Sequence, residues 1–152
     1  MTLLLASKSK IVFKMGESER SLFFTVLDLY PRVTSAATLS SRSGKKPGLS
    51  KESSALLEEA LSEQRAENKK QLKAFVAEPR RFEKADSGWR FSMTHAEAEW
   101  LLQILNDIRV GSWIAMGAQE QLDAVTEKNM RDFWAMEISG RFEAILLEAL
   151  RG

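Results

Sequence analysis

Residues 11–32 can be laid over residues 89–110 without a gap, at an offset of 78 positions. Phe13 then falls on Phe91, Met15 on Met93, Glu19 on Glu97 and Leu27 on Leu105. Five positions of the following helix are apolar in both copies: Leu22/Trp100, Phe23/Leu101, Val26/Ile104, Leu27/Leu105 and Tyr30/Ile108. Amphipathic helices resemble one another by construction, so these apolar matches alone weigh little. The Phe-x-Met strand pattern, the glutamate at the third helical position and the constant phase between them are harder to reach by accident. The chain therefore reads as two similar halves, about residues 10–78 and 89–152, each running strand, helix, loop, helix. This constrains the fold and is silent on activity.

The elements follow from local signals. Thr2–Ala6 is either a short strand or an unstructured start. Ile11–Met15 alternates weakly and is rich in β-formers, which predicts a strand. Gly16 sits where an N-cap belongs, with Glu19 at the third position of a helix over residues 17–30 that stops before Pro31. Residues 33–50 are rich in Ser, Gly and basic side chains and read as a loop, with 34–49 expected to be flexible. Ser50 can cap a long helix, Lys51–Ala77, closed by Glu78-Pro79. Its ends are amphipathic and its middle, residues 64–71, is nearly all polar, so it projects beyond the core or crosses an open surface.

Residues 80–88 read as a polar connector, and residues 89–93 as the second strand. Thr94-His95-Ala96-Glu97 is a capping box: the Thr hydroxyl accepts from the Glu97 amide and the Glu carboxylate returns to the Thr94 amide. The helix after it buries Leu101, Ile104, Leu105 and Ile108 and runs to Met116, with Gly117 as C-terminal cap. A loop over 118–125 leads to a last helix, residues 127–150, with an apolar row Met130, Trp134, Ile138, Phe142, Ile145/Leu146 and Ala149. The expected fold is one α+β domain over residues 1–152, mostly helical, in which duplicated strand–helix–helix units place about four helices on a short two-stranded ribbon. Two strands alone are marginal, so the helices must supply the core.

Composition narrows the class. At 152 residues the chain can form one ordinary core, or two small units sharing one. A content of 44% hydrophobic and 28% charged residues is that of a soluble globular protein. The opening MTLLLASKSK is too short an apolar run for a secretory signal or a membrane span, which leads to the expectation of a cytoplasmic protein without membrane contact. The absence of cysteine excludes disulfides, thiolate catalysis and Cys-ligated metal sites. The net charge of +1 is uneven, because residues 1–50 hold 8 basic against 3 acidic side chains and residues 89–152 hold 6 against 10. Opposite halves could attract one another, or a basic lobe could meet an acidic partner or nucleic acid.

Residues 97–117, EAEWLLQILNDIRVGSWIAMG, and residues 133–150, FWAMEISGRFEAILLEAL, carry a family resemblance. They are similar to the C-terminal part of an uncharacterised bacterial domain family, typical of actinobacteria and often encoded beside the adaptor of the Clp protease. Its pattern has an E-A-x-x-W/L-L-x-x-L-N-D-L-R segment, matched here through Leu105-Asn106-Asp107-Ile108-Arg109. A terminal helix ending x-x-L-V/L-E-A-L is matched by Leu146-Leu147-Glu148-Ala149-Leu150. Gly111-Ser112-Trp113 and Ser139-Gly140-Arg141 depart from the pattern. The resemblance implies a bacterial housekeeping or regulatory protein and no reaction, cofactor or catalytic residue.

Candidate functional residues are few. His95 is the only histidine; it could act as a general base or join Glu97 and Glu99 at a metal. Glu97 is already explained by capping, and a lone first-turn histidine lacks the companions a metal requires. No catalytic residue, cofactor or metal is therefore assigned. Asn106, Asp107, Arg109 and Trp113 are the candidates for partner binding. At 100° per residue Asp107 and Arg109 flank the apolar stripe on opposite sides, Arg109 within reach of Glu137 or Glu143, and Trp113 lies almost opposite the stripe. Trp100, Trp113, Trp134, Phe133 and Phe142 read as an aromatic cluster between the two C-terminal helices. Arg42, Lys45, Lys46, Lys69, Lys70, Arg80 and Arg81 form the basic set that phosphate contact would use, although no aromatic residue is interleaved to stack bases. There is no phosphate loop, no G-x-S-x-G and no dinucleotide fingerprint. The sequence thus points to a non-enzymatic interaction or regulatory protein whose partner is another protein or a second copy in a homodimer. The alternative is a nucleic-acid-associated accessory protein using the basic N-terminal half.

Overall fold

The computed structural model describes residues 1–33, 51–117 and 125–152. Along the chain come β1 (Thr2–Ala6), β2 (Ile11–Met15), α1 (Glu17–Leu27), α2 (Lys51–Ala77), β3 (Phe82–Ala85), β4 (Gly88–Met93), α3 (His95–Ala115) and α4 (Met130–Arg151). The strands form one antiparallel sheet in the order β1-β2-β4-β3. The predicted strands pair at its centre, with Ile11 opposite Met93, Phe13 opposite Phe91 and Met15 opposite Trp89. The class is α+β and mostly helical, as composition and periodicity imply.

The two-stranded ribbon is corrected to four strands. Thr2–Ala6 is a strand, and the middle of the predicted connector is the edge strand β3, whose Phe82 lies opposite Phe91. Glu83 and Lys84 are exposed while Phe82 stacks on Phe91 at 4.7 Å between ring centroids. A charged edge strand resists pairing with other chains and for that reason looks like a loop in sequence. Gly88 opens β4 at φ 147°, where a Cβ would meet the carbonyl of Met15, a position only glycine fills without strain.

The predicted capping box at Thr94 is present, and at Gly16 the half of it that a glycine permits. The Gly16 amide donates to Glu19 at 3.1 Å, and Thr94 and Glu97 cap reciprocally at 2.8 and 3.1 Å. α1 ends at Leu27 rather than Tyr30, because the amides of Leu29 and Tyr30 turn back to the carbonyls of Val26 and Leu27. α4 starts at Met130 rather than residue 127, since the Asn129 side chain accepts from the Thr126 amide at 2.8 Å and closes a separate turn. Met130 is 54% exposed, and the inner face of α4 is Ala135, Ser139, Phe142, Leu146 and Ala149. Residues 34–50, with the expected loop and the Ser50 cap, and residues 118–124 lie outside the described residues.

Phe91 is the hub of the core: Phe13, Phe23, Phe75 and Phe82 all approach it within 6.4 Å, and Phe23 meets Phe142 edge-on at 5.0 Å. The aromatic centre is thus phenylalanine on the sheet, while Trp100 and Trp134 sit half-buried at its margin. Of the 27 residues of α2 only Leu72 and Phe75 are buried, so this helix crosses the body on one narrow stripe. Among the described residues no helix is long and apolar enough to cross a membrane.

Candidate functional site

Gly111 interrupts a helix in which alanine would be the better helix former by about 1 kcal/mol. A Cβ there would lie 2.7 Å from the carbonyl carbon of Arg32 and 2.9 Å from the amide nitrogen of Val33. The missing side chain lets the segment after α1 lie directly on α3. One turn earlier, the Asp107 carboxylate accepts the amides of Arg32 at 2.7 Å and Val33 at 3.3 Å. The Arg32 guanidinium pairs with Asp132 in the first turn of α4. Five residues thus join the segment after α1 to α3 and α4.

Beside this junction a cleft of 360 Å³ separates α2 from α3, lined among others by Tyr30, Leu61, Arg65, Asn68 and Asp107. Asn68 bridges its wall, donating to the Tyr30 hydroxyl at 3.1 Å and accepting from the Trp100 indole at 3.3 Å. Burial pushes the Asp107 carboxyl above its ordinary value, and the two amide donors offset this only in part. Burial likewise raises the Tyr30 phenol, with the Asn68 hydrogen bond opposing it. Tyr30, Asn68 and Asp107 are each engaged in holding one element to another.

A second cleft, 440 Å³, lies where the end of α2 meets the start of α3, lined by Gln71, Phe75, Glu78, Arg81, Glu97 and Trp100 among others. Arg81 is 8% exposed. It donates to the carbonyls of Phe75 and Ser92, each at 2.9 Å, pairs with both oxygens of Glu97, and stacks on the Phe75 ring at 3.9 Å. Burial pushes the Glu97 carboxyl up, but hydrogen bonds from Arg81 and Thr94 outweigh it and hold the group below its ordinary value. The same carboxylate that completes the capping box thus neutralises a buried guanidinium, and His95 at the helix start is only half-buried.

The four partner-binding candidates do not converge. Asp107 faces α2 and the segment after α1. Exposed Asn106 accepts from Arg109 at 3.3 Å. Arg109 turns to α4, its Nε 3.2 Å from Glu143, one of the two partners that helical spacing offers; burial raises the Glu143 carboxyl and Arg109 opposes this. Trp113 is half-buried and takes part in contacts of its own. Of the basic set, Lys69, Lys70 and Arg80 are exposed, Arg81 is internal, and Arg42, Lys45 and Lys46 lie outside the described residues. Among the described residues no three His, Cys, Asp or Glu side chains are grouped to hold a metal. Sequence reasoning missed Gly111, whose mid-helix position signals close backbone approach, and Asn68, which looks like any polar residue on a charged helix.

The side of α2 turned from the body has a different character. Glu52, Leu56, Glu59, Glu63, Ala66, Lys70, Ala74 and Ala77 recur at spacings of three and four, and all are exposed, Leu56 to 68%. Residues 51–64 carry one basic and four acidic side chains; residues 65–77 carry four basic and one acidic. The long helix is divided into an acidic and a basic half.

No protein-family model, curated protein or solved structure matches the chain.

Proposed function

We propose that this chain is a non-enzymatic bacterial interaction or regulatory protein, cytoplasmic, that acts by binding and associates with itself. The observation that carries the reading is the outer face of α2: 27 helical residues of which only Leu72 and Phe75 are buried, with Leu56 exposed and charge divided between the two ends. Asp107, Tyr30, Asn68, Arg81 and Glu97 in the two clefts are engaged in structure, whereas the outer face of α2 is exposed along its length. The resemblance to an uncharacterised bacterial domain family, which implies a housekeeping or regulatory protein, is in keeping with it.

Internal duplication belongs to the same reading. Residues related by the 78-position offset meet at the centre of the sheet, Phe13 opposite Phe91, and the pairs Ile11–Met93 and Met15–Trp89 exchange under that offset. Each central strand has an outer strand before it and a capped helix after it. A tandem ββαα origin accounts for this.

Sedimentation equilibrium over a wide concentration range tests the reading. A mass that rises with concentration is expected; a strict monomer throughout removes self-association. Nucleic-acid binding is the competing reading, favoured by exposed Lys69, Lys70, Lys73 and Arg80. An unchanged mobility of short DNA and RNA at low salt would end it.

A further inference from the structure

The structure points to a specific partner surface: we propose that two copies of this chain pair α2 against α2 in antiparallel orientation, acidic half on basic half. This rests on the self-association reading and names the face and the direction.

The argument is one of register. About a point between Ala66 and Glu67, the outer positions of α2 exchange under a two-fold axis perpendicular to the helix. Glu63 then faces Lys70 of the second copy, Glu59 faces Ala74 with Lys73 diagonally beside it, and Leu56 covers Ala77. A two-fold interface is self-complementary, so each pair occurs twice. In parallel orientation the same face would set Glu59 and Glu63 against their own copies and Lys70 against Lys70, a repulsive arrangement. Charge therefore selects direction as well as partner. Ala66, Ala74 and Ala77 keep the seam thin, and their exposure together with that of Leu56 leaves the face open. The body lies on the opposite side, along Leu61, Asn68, Leu72 and Phe75, so it does not obstruct a second helix. An interface with a single large apolar side chain per copy and solvent-exposed ion pairs associates weakly and is screened by salt. Its association constant should drop roughly tenfold or more from low to high ionic strength.

The absence of cysteine makes crosslinking unambiguous. Leu56→Cys and Ala77→Cys variants of the full chain, mixed and mildly oxidised, are expected to give the mixed disulfide dimer, while Leu56→Cys alone gives little. Two charge variants check the electrostatics. Glu59→Lys/Glu63→Lys and Lys70→Glu/Lys73→Glu should each be monomeric with unchanged helix content by circular dichroism, since the altered side chains are exposed. Mixing the two should restore a dimer. A dimer by mass that crosslinks Leu56→Cys to itself, or whose charge variants still dimerise separately, overturns the antiparallel seam and leaves the self-association reading standing. A monomer under every condition overturns both.

Discussion

The Asp107 carboxylate accepts the backbone amide of Arg32 at 2.7 Å across 75 residues of sequence. It takes the Val33 amide with the same oxygen, so one side chain satisfies two donors that no regular element would satisfy. Burial raises this carboxyl above its ordinary value, which means the charge itself is a cost and the hydrogen bonds are the gain. A neutral acceptor of the same shape separates the two. Asp107→Asn should leave stability within about 1 kcal/mol of the wild type, because an amide oxygen still accepts both bonds. Asp107→Ala should cost roughly 1–3 kcal/mol, the penalty for orphaned buried donors. Urea denaturation of both variants at neutral pH is the measurement, and equal losses in the two would mean that the charge matters more than the acceptor. The sign of the pH effect follows: a folded value above the unfolded one makes the Asp107 contribution complete below the unfolded value and lost as pH rises through the folded value.

Gly111 offers a test in which two effects have opposite signs. Helix propensity alone predicts that Gly111→Ala stabilises α3 by about 1 kcal/mol. The new methyl, however, would lie 2.7 Å from the carbonyl carbon of Arg32 and 2.9 Å from the amide of Val33, and backbone cannot move aside as a flexible side chain can. Overpacking of this kind costs typically 1–3 kcal/mol, so a net loss is expected. A melting temperature above that of the wild type would show that residues 32 and 33 do not rest on the helix.

How much of this was legible beforehand depended on whether a residue's role was local. The caps at Gly16 and Thr94, the central strands and the bounds of α2 rest on signals within a few positions, and they stand as read. Helical phase narrowed the partner of Arg109 to Glu137 or Glu143, and the contact is with Glu143. Phe82 misled because its partners Phe91 and Phe24 lie on other elements while Glu83 and Lys84 beside it face water. Asp107 appeared as a partner-binding candidate because nothing near it in sequence announces that residues 32 and 33 need an acceptor. Arg81 reads as one of the exposed basic residues for the same reason: its carboxylate lies 16 positions away, at the start of α3.

That Arg81–Glu97 pair yields the prediction with the clearest pH signature. Arg81 joins the end of α2 to β4 and to the start of α3 through Phe75, Ser92 and Glu97. Lysine keeps the charge but cannot reach three acceptors in a fixed fork, so Arg81→Lys should be destabilised nearly as much as Arg81→Ala. Removing one partner of a buried pair costs about 3–5 kcal/mol. The low end is expected here because the Glu97 side chain keeps 32% of its exposure. Glu97→Gln retains an oxygen for the Thr94 amide and loses the charge, a loss of roughly 1.5–3 kcal/mol at neutral pH. The folded Glu97 value lies below the ordinary 4.5, so its contribution is complete above that value and disappears as pH falls through the folded value. The stability difference between wild type and Glu97→Gln should therefore shrink steadily on acidification from pH 4.5. Denaturant titrations of the two proteins across that range measure it. A difference that stays constant into strong acid would mean the carboxylate owes nothing to Arg81 and the two helices are joined by packing alone.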